Sequence, residues 1–339
     1  MKKAVSVLML SLIMVVVAAC GSGNGNSNAG ASPSASPSAS ASASASPSAS
    51  PSDSAAPAEV TITHASGETT VKTNPTKVVV FDMGILDSLD KLGVEVAGVP
   101  QNNLPAYLSK YEDAKYANVG GLTEPDFEKI AEIQPDLIII SGRQASSYEE
   151  FVKIAPTLNL TLDTAKYRES VISNMTAIGQ VFNKSDEVSA ELAALDAKVK
   201  EIHEKVTAEG KKALIILHNE GSISAYGSGS RFGLIHDVFG FAQADENIEV
   251  STHGQKVTFE YVAEKNPDYL FVVDRSAVVA SEGGEVSPAK ESIENDLVKG
   301  TNAYKDGHIV YLDPNYWYLS GGGLVSVGAM VDEVSAAIG

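Results

Sequence analysis

Arg143 and Arg275 stand 132 residues apart, and each closely follows an apolar run, Leu137 to Ile140 in one case and Tyr269 to Val273 in the other. Ligands of open α/β sheets bind beyond the carboxyl ends of the strands, so two arginines placed this way in two like halves should converge on one cleft. Arg231 lies in the glycine-rich stretch Tyr226 to Gly233, after the apolar run Ala213 to Leu217, and is positioned to be a third. A guanidinium stays charged and offers several coplanar donors, which is the chemistry of anion recognition. The plainer alternative for each is a surface ion pair, worth little. His253 sits in the polar loop Ser251-Thr252-His253-Gly254-Gln255, where a neutral imidazole could ligate a transition metal or simply face solvent. Tyr316 and Tyr318 bracket Trp317 just before Gly321-Gly322-Gly323, a run that would let the backbone approach a ligand closely. A phenolate can hold ferric iron, provided metal binding drives off a proton whose pKa is ordinarily about 10. The two tyrosines fall on the same side of an extended strand, so spacing does not choose between them, and Trp317 alternates with them as a ligand or core residue.

Around these residues two stretches repeat at the same offset of 132: Phe127-Glu128-Lys129-Ile130-Ala131-Glu132-Ile133-Gln134-Pro135-Asp136 and Phe259-Glu260-Tyr261-Val262-Ala263-Glu264-Lys265-Asn266-Pro267-Asp268. Each reads as a short amphipathic helix stopped near a Pro-Asp and followed by a buried strand. The continuous apolar runs suit strands covered on both faces, as in a parallel α/β sheet. Lys77 to Phe81 opens one half and Ala213 to Leu217 the other, giving two similar lobes. Between them, residues 169–208 carry a long helical pattern, strongest from Ser185, with Leu192, Leu195, Val199, Ile202 and Val206 in one stripe and Gly210 as its stop. The fold class expected is α/β, with two Rossmann-like lobes (59–168 and 209–339) joined by one long helix and a ligand cleft between them. Glu128 and Glu260 occupy equivalent places near the starts of the repeated helices, where an acidic residue also suits the helix dipole.

The chain has 339 residues, 25 Lys plus Arg against 43 Asp plus Glu, and a single cysteine. A net charge of −18 argues against nucleic acid as a partner, and one cysteine excludes an intramolecular disulfide or a multi-cysteine metal site. Lys2 and Lys3 precede the 16-residue apolar run Ala4 to Ala19, too short for the roughly 20 residues of a membrane span, so residues 1–19 read as a secretory signal. Residues 20–58 are almost all Ser, Ala, Pro, Gly and Asn and cannot build a core, which makes them a disordered linker. The remaining 281 residues, having lost Lys2, Lys3 and Asp53, carry −19. An anion site in such a body is a local exception. The Gly227 to Gly233 spacing matches neither a dinucleotide fingerprint nor a P-loop, and there is no His-Glu-x-x-His or Gly-x-Ser-x-Gly. The other histidines (His64, His203, His218, His236, His308) are scattered without obvious pairing.

Val17-Ala18-Ala19-Cys20 resembles the lipobox of bacterial lipoproteins, with Val17 in place of the commoner Leu. That resemblance makes Cys20 the lipidated residue and the anchor to the outer face of the cell membrane. An exported lipoprotein with two α/β lobes joined by one long helix resembles the helical-backbone class of ABC-transporter substrate-binding proteins, over about Val60 to Gly339. Val119-Gly120-Gly121-Leu122, Ser141-Gly142-Arg143-Gln144, Gly229-Ser230-Arg231-Phe232-Gly233 and Trp317-Tyr318-Leu319-Ser320-Gly321-Gly322-Gly323 are similar to its petrobactin-binding, catecholate-siderophore branch. The resemblance implies a monomeric, non-enzymatic receptor with no intrinsic cofactor that binds a ferric siderophore and delivers it to an ABC permease. It places Arg143, Arg231, Arg275, Tyr316, Trp317 and Tyr318 at the ligand, His253 and Tyr318 on the iron, and Glu128 and Glu260 against the permease. A haem or other metal-chelate receptor is the nearest alternative, and an extracytoplasmic enzyme on the same scaffold a more distant one.

Overall fold

The computed structural model describes residues 58–102, 104–279 and 289–339. The expected signal segment, Cys20 and all of the linker but Ala58 lie outside the described residues. The first lobe opens with an antiparallel hairpin, β1 (Glu59–His64) and β2 (Gly67–Lys72). Its sheet is wholly parallel, built from β3 (Val78–Val80), β4 (Gly98–Val99), β5 (Ala117–Asn118), β6 (Leu137–Ile140) and β7 (Thr157–Asn159) in the order β5-β4-β3-β6-β7. The second lobe contains β8 (Lys212–Asn219), β9 (Ser222–Tyr226), β10 (Ala242–Gln243), β11 (Gln255–Val257), β12 (Tyr269–Asp274) and β13 (Ile309–Leu312), in the order β11-β9-β8-β12-β13 with β10 beside the start of β8.

The uninterrupted apolar runs have the physical origin expected of doubly covered strands. Successive side chains leave a strand on opposite faces, so one run supplies two cores. Leu137 and Ile139 join one cluster while Ile138 and Ile140 join another. Likewise Tyr269, Phe271 and Val273 face the first cluster, and Leu270 and Val272 a third. The second sheet differs from a purely parallel one at its edge. Glu220 and Gly221, at φ 50° and 78°, make a two-residue turn that folds β9 back antiparallel on β8. Positive φ at both central positions suits the twist of a hairpin.

Between the sheets, the helix Tyr167–Val181 is followed by the 25-residue helix Ser185–Glu209, with Asn183 at φ 54° separating them. Gly210 in the left-handed conformation ends the long helix as its sequence indicates. Val188, Ile202 and Val206 on its stripe are buried, and Leu192, Leu195 and Val199 pack against the same core. Periodicity did not disclose the course of the last helix, Leu324–Ala337, which returns to the first lobe and packs on Met83–Lys91 and on Ser185–Glu209. The approach is so close that a Cβ at Gly323 would lie 1.9 Å from the Gly84 carbonyl oxygen and 2.0 Å from Asp87 Oδ1. One core cluster consequently runs from β3 and β6 through these helices to β8 and β12. Among the described residues no helix is long and apolar enough to cross a membrane.

Candidate ligand-binding site

The repeated sequence is a repeated structure. The helices Phe127–Ile133 and Phe259–Lys265 are capped by Asp126 and Thr258, whose side chains accept from the backbone N–H of Lys129 and Tyr261. Each helix ends on a left-handed residue, Gln134 at φ 53° and Asn266 at φ 42°. The aspartate after each proline then ties the unit to its neighbouring strand: Asp136 accepts from the Lys77 N–H at 2.9 Å and Asp268 from the Lys212 N–H at 3.0 Å. Both units therefore enter their sheets in the same way, and Arg143 and Arg275 emerge at the carboxyl ends of β6 and β12.

These two arginines, with Arg231, meet at the turn Asn315–Ser320. Arg143 Nη2 donates to the Tyr318 carbonyl at 2.8 Å and its Nη1 to the Leu319 carbonyl at 3.4 Å. Arg231 Nη2 donates to the same Tyr318 carbonyl at 2.7 Å, with its guanidinium carbon 4.2 Å from the centre of the Tyr318 ring. Arg275 Nε donates to the Tyr318 hydroxyl at 2.8 Å and its Nη1 to Asn219 Oδ1 at 2.7 Å. Arginines from opposite lobes thus grip the two ends of one tyrosine. None of the three is paired with a carboxylate among the described residues, whereas the chain's fourth arginine, Arg168, pairs with Asp196. The surface-ion-pair alternative is thereby set aside for all three.

The electrostatics follow from that concentration of positive charge. Burial, and after it the like charge of Arg143, holds the Arg231 guanidinium below its ordinary pKa. Burial would push the Tyr318 phenol up, but the Arg275 hydrogen bond and the charges of Arg231, Arg275 and Arg143 outweigh it and leave the phenol below its ordinary value. Three cations without a carboxylate partner among the described residues, around a half-buried ring, have the charge and donors that suit an anion, and the phenol between them gives up its proton more readily than a free one.

The aromatic triplet divides three ways, because Asn315–Ser320 is a π-helical turn and not the extended strand expected. Positions two apart on a helical turn point in nearly opposite directions. Tyr318 enters the arginine cluster, while the Tyr316 ring packs on Tyr107 at 4.7 Å between centres. Trp317 corrects the expectation of a ligand contact: it is 3% exposed, and its indole Nε1 donates to the half-buried Glu333 at 2.7 Å. The glycine run also serves the protein interior. A Cβ at Gly322 would lie 2.7 Å from Leu162 Cδ1, so the close approach is to the first lobe.

His253 is exposed on the turn before β11, its backbone N–H donating to Ser251 Oγ at 3.2 Å. The neighbouring Gly254 lies against the Tyr226 ring, where a Cβ would come within 2.7 Å. Burial pushes the Tyr226 phenol up to about 12, against the opposing charges of Arg231 and Arg275. The exposed His253 thus sits on a turn whose Gly254 packs on Tyr226, and no group of three or more His, Cys, Asp or Glu side chains able to hold a metal occurs among the described residues. Glu128 and Glu260 are exposed in the first turns of the two repeated helices, apart from the arginines. The Glu260 carboxyl is held below its ordinary pKa by its own backbone N–H and by the Thr258 hydroxyl. Sequence reading missed Asn219, which orients Arg275, and Phe232, whose ring centre lies 5.4 Å from the Arg231 guanidinium carbon. The only signal for Asn219 was its place at the end of an apolar strand.

Comparison with known proteins identifies the family and the fold. The family profile described as periplasmic binding protein matches residues 78–316. The chain is 54% identical over 280 residues to the petrobactin-binding protein YclQ of Bacillus subtilis, covering 81% of this chain and 87% of that protein. It superposes on the crystal structure of YclQ with a TM-score of 0.79 at 53% identity, covering 83% of this chain and 98% of the other. The periplasmic catecholate-siderophore binding protein VctP of Vibrio cholerae gives a TM-score of 0.79 at 39% identity, covering 82% and 99%.

Proposed function

This chain belongs to the periplasmic binding protein family, and we propose that within it the molecule captures a ferric catecholate siderophore of the petrobactin type and hands it to an ABC permease. The observation that carries the reading is the convergence of Arg143, Arg231 and Arg275, none paired with a carboxylate among the described residues, on Tyr318. Catecholate oxygens around ferric iron form a compact, planar-faced anion. Guanidinium groups match it by charge and by hydrogen-bond geometry, and in a partly dry cleft each contact is stronger than in water. A bare cation would be repelled by the same three charges and would call for carboxylates and imidazoles instead. The bound iron is cargo. Where the chelator leaves coordination positions open, Tyr318 completes them in preference to Tyr316, helped by its lowered pKa, and His253 reaches in from the rim. Glu128 and Glu260, one per lobe, dock on the permease, and a lipid on Cys20 keeps the receptor at the outer face of the cell membrane.

Intrinsic fluorescence tests the reading directly, because the single tryptophan, Trp317, precedes Tyr318. Titration with ferric petrobactin, haem and free Fe³⁺ should show saturable quenching by the ferric catecholate and none by the free ion. A response to haem alone would overturn the assignment.

A further inference from the structure

His218 takes no part in the anion site, yet it is 2% exposed and lies directly behind Arg275. It pairs with Asp274 in the register of β8 and β12, and its Nδ1 is 3.1 Å from Asp274 Oδ1. Its other nitrogen, Nε2, accepts the backbone N–H of Gly221 at 3.1 Å in the β8–β9 turn. Because Nε2 accepts, the ring proton must sit on Nδ1, where it points at Asp274. The same Asp274 oxygen also accepts the Ser276 N–H at 3.1 Å, and Ser276 Oγ accepts the Glu220 N–H at 2.9 Å. The residues on both sides of Arg275 are thus fastened to the end of β8. The Arg275 backbone N–H donates to the His218 carbonyl at 3.0 Å, and its guanidinium reaches the adjacent Asn219. The repeat does not carry this pair into the first lobe, since the residue 132 positions before Asp274 is Gly142.

We propose that His218 and Asp274 are positioning residues for Arg275: the neutral imidazole, donating to Asp274, fixes the end of β12 so that the guanidinium is aimed at the Tyr318 hydroxyl and at the bound anion. The inference rests on the siderophore reading for its consequence in binding, though not for its geometry. A guanidinium free to swing would lose the orientation that makes its contact count, since ordering a long side chain on binding costs affinity.

The imidazole's two bonds can be separated. In His218→Asn the amide nitrogen stands near the position of Nδ1 and keeps a donor for Asp274. In His218→Gln the longer side chain keeps an acceptor for Gly221 and loses that donor. Ferric petrobactin affinity, read by Trp317 quenching, should stay close to wild type in H218N and fall about tenfold or more in H218Q, the scale of one charge-assisted hydrogen bond. Arg275→Ala should fall as far, and adding H218Q to R275A should cost nothing more, because the histidine acts through the arginine. Additive losses, or an H218N defect equal to that of H218Q, would overturn the proposal. A second readout needs no ligand. The chain has four arginines, so its side-chain Nε–H spectrum is sparse, and the Arg275 resonance is identified by its disappearance in Arg275→Lys. That proton should be protected from exchange in wild type and H218N and unprotected in H218Q. Protection unchanged in H218Q refutes the brace. If wild type failed to bind ferric petrobactin, the functional reading alone would fall, and this exchange measurement would still decide the brace.

Discussion

Asp87 provides a quantitative test of how the returning C-terminal segment is held. Its carboxylate is fully buried and accepts the Tyr107 hydroxyl at 3.0 Å, the Ser326 N–H at 3.1 Å, the Val325 N–H at 3.2 Å and the Ser88 hydroxyl at 3.2 Å. Tyr107 in turn shares a hydrogen bond with Ser320, two residues beyond Tyr318, at 2.6 Å. No lysine or arginine pairs with Asp87 among the described residues, so burial outweighs the hydrogen bonds and lifts its pKa from 3.8 to about 6. The folded protein therefore binds this proton more tightly than the unfolded chain does. The contribution is fully present below the unfolded value and is lost as pH rises through about 6; the displacement corresponds to about 3 kcal/mol. The perturbation is Asp87→Asn, which cannot titrate. In urea unfolding measured between pH 4 and pH 8, the stability of wild type relative to D87N should fall by about 2.4 kcal/mol as pH rises across this window, the part of the full displacement still present at pH 4. A difference that is independent of pH, or that grows with pH, would refute the reasoning, because it would mean that the hydrogen bonds and not burial dominate the carboxylate.

Separation of the aromatic residues gives further tests. Tyr318→Phe removes the hydroxyl held by Arg275 and should weaken ferric petrobactin binding by about tenfold or more, whereas Tyr316→Phe should leave it nearly unchanged, as titration calorimetry can establish. Trp317→Phe leaves the half-buried Glu333 without its indole donor and should cost about 1–3 kcal/mol in chemical denaturation with no change in calorimetric affinity. Glu128→Ala combined with Glu260→Ala should abolish siderophore-dependent iron uptake by cells while soluble binding stays intact; lost binding would place those carboxylates in the wrong role.

The two-lobed repeat is legible in the amino-acid order alone. Hydrophobic runs, a Pro-Asp stop and an arginine recur at a constant offset, and local rules connect such patterns to helices, doubly covered strands and strand ends. Arg143 and Arg275 follow from the repeat and Arg231 from the glycine-rich stretch after an apolar run, and all three meet at Tyr318. Tertiary structure alone decided which aromatic residue joins them. A π-helical turn rotates Tyr316, Trp317 and Tyr318 to three different neighbours, and the alternation expected of a strand could not anticipate it. It alone decided that Leu324–Ala337 returns to the first lobe, where Gly84, Asp87 and Gly323 fit within contact distance although they lie far apart in the chain. His218 and Asp274 are 56 positions apart and form no motif; only the pairing register of β8 with β12 makes them partners. Local periodicity fixes the elements because backbone geometry repeats over a few residues. Which side chains meet depends on how those elements dock, a property of the whole chain.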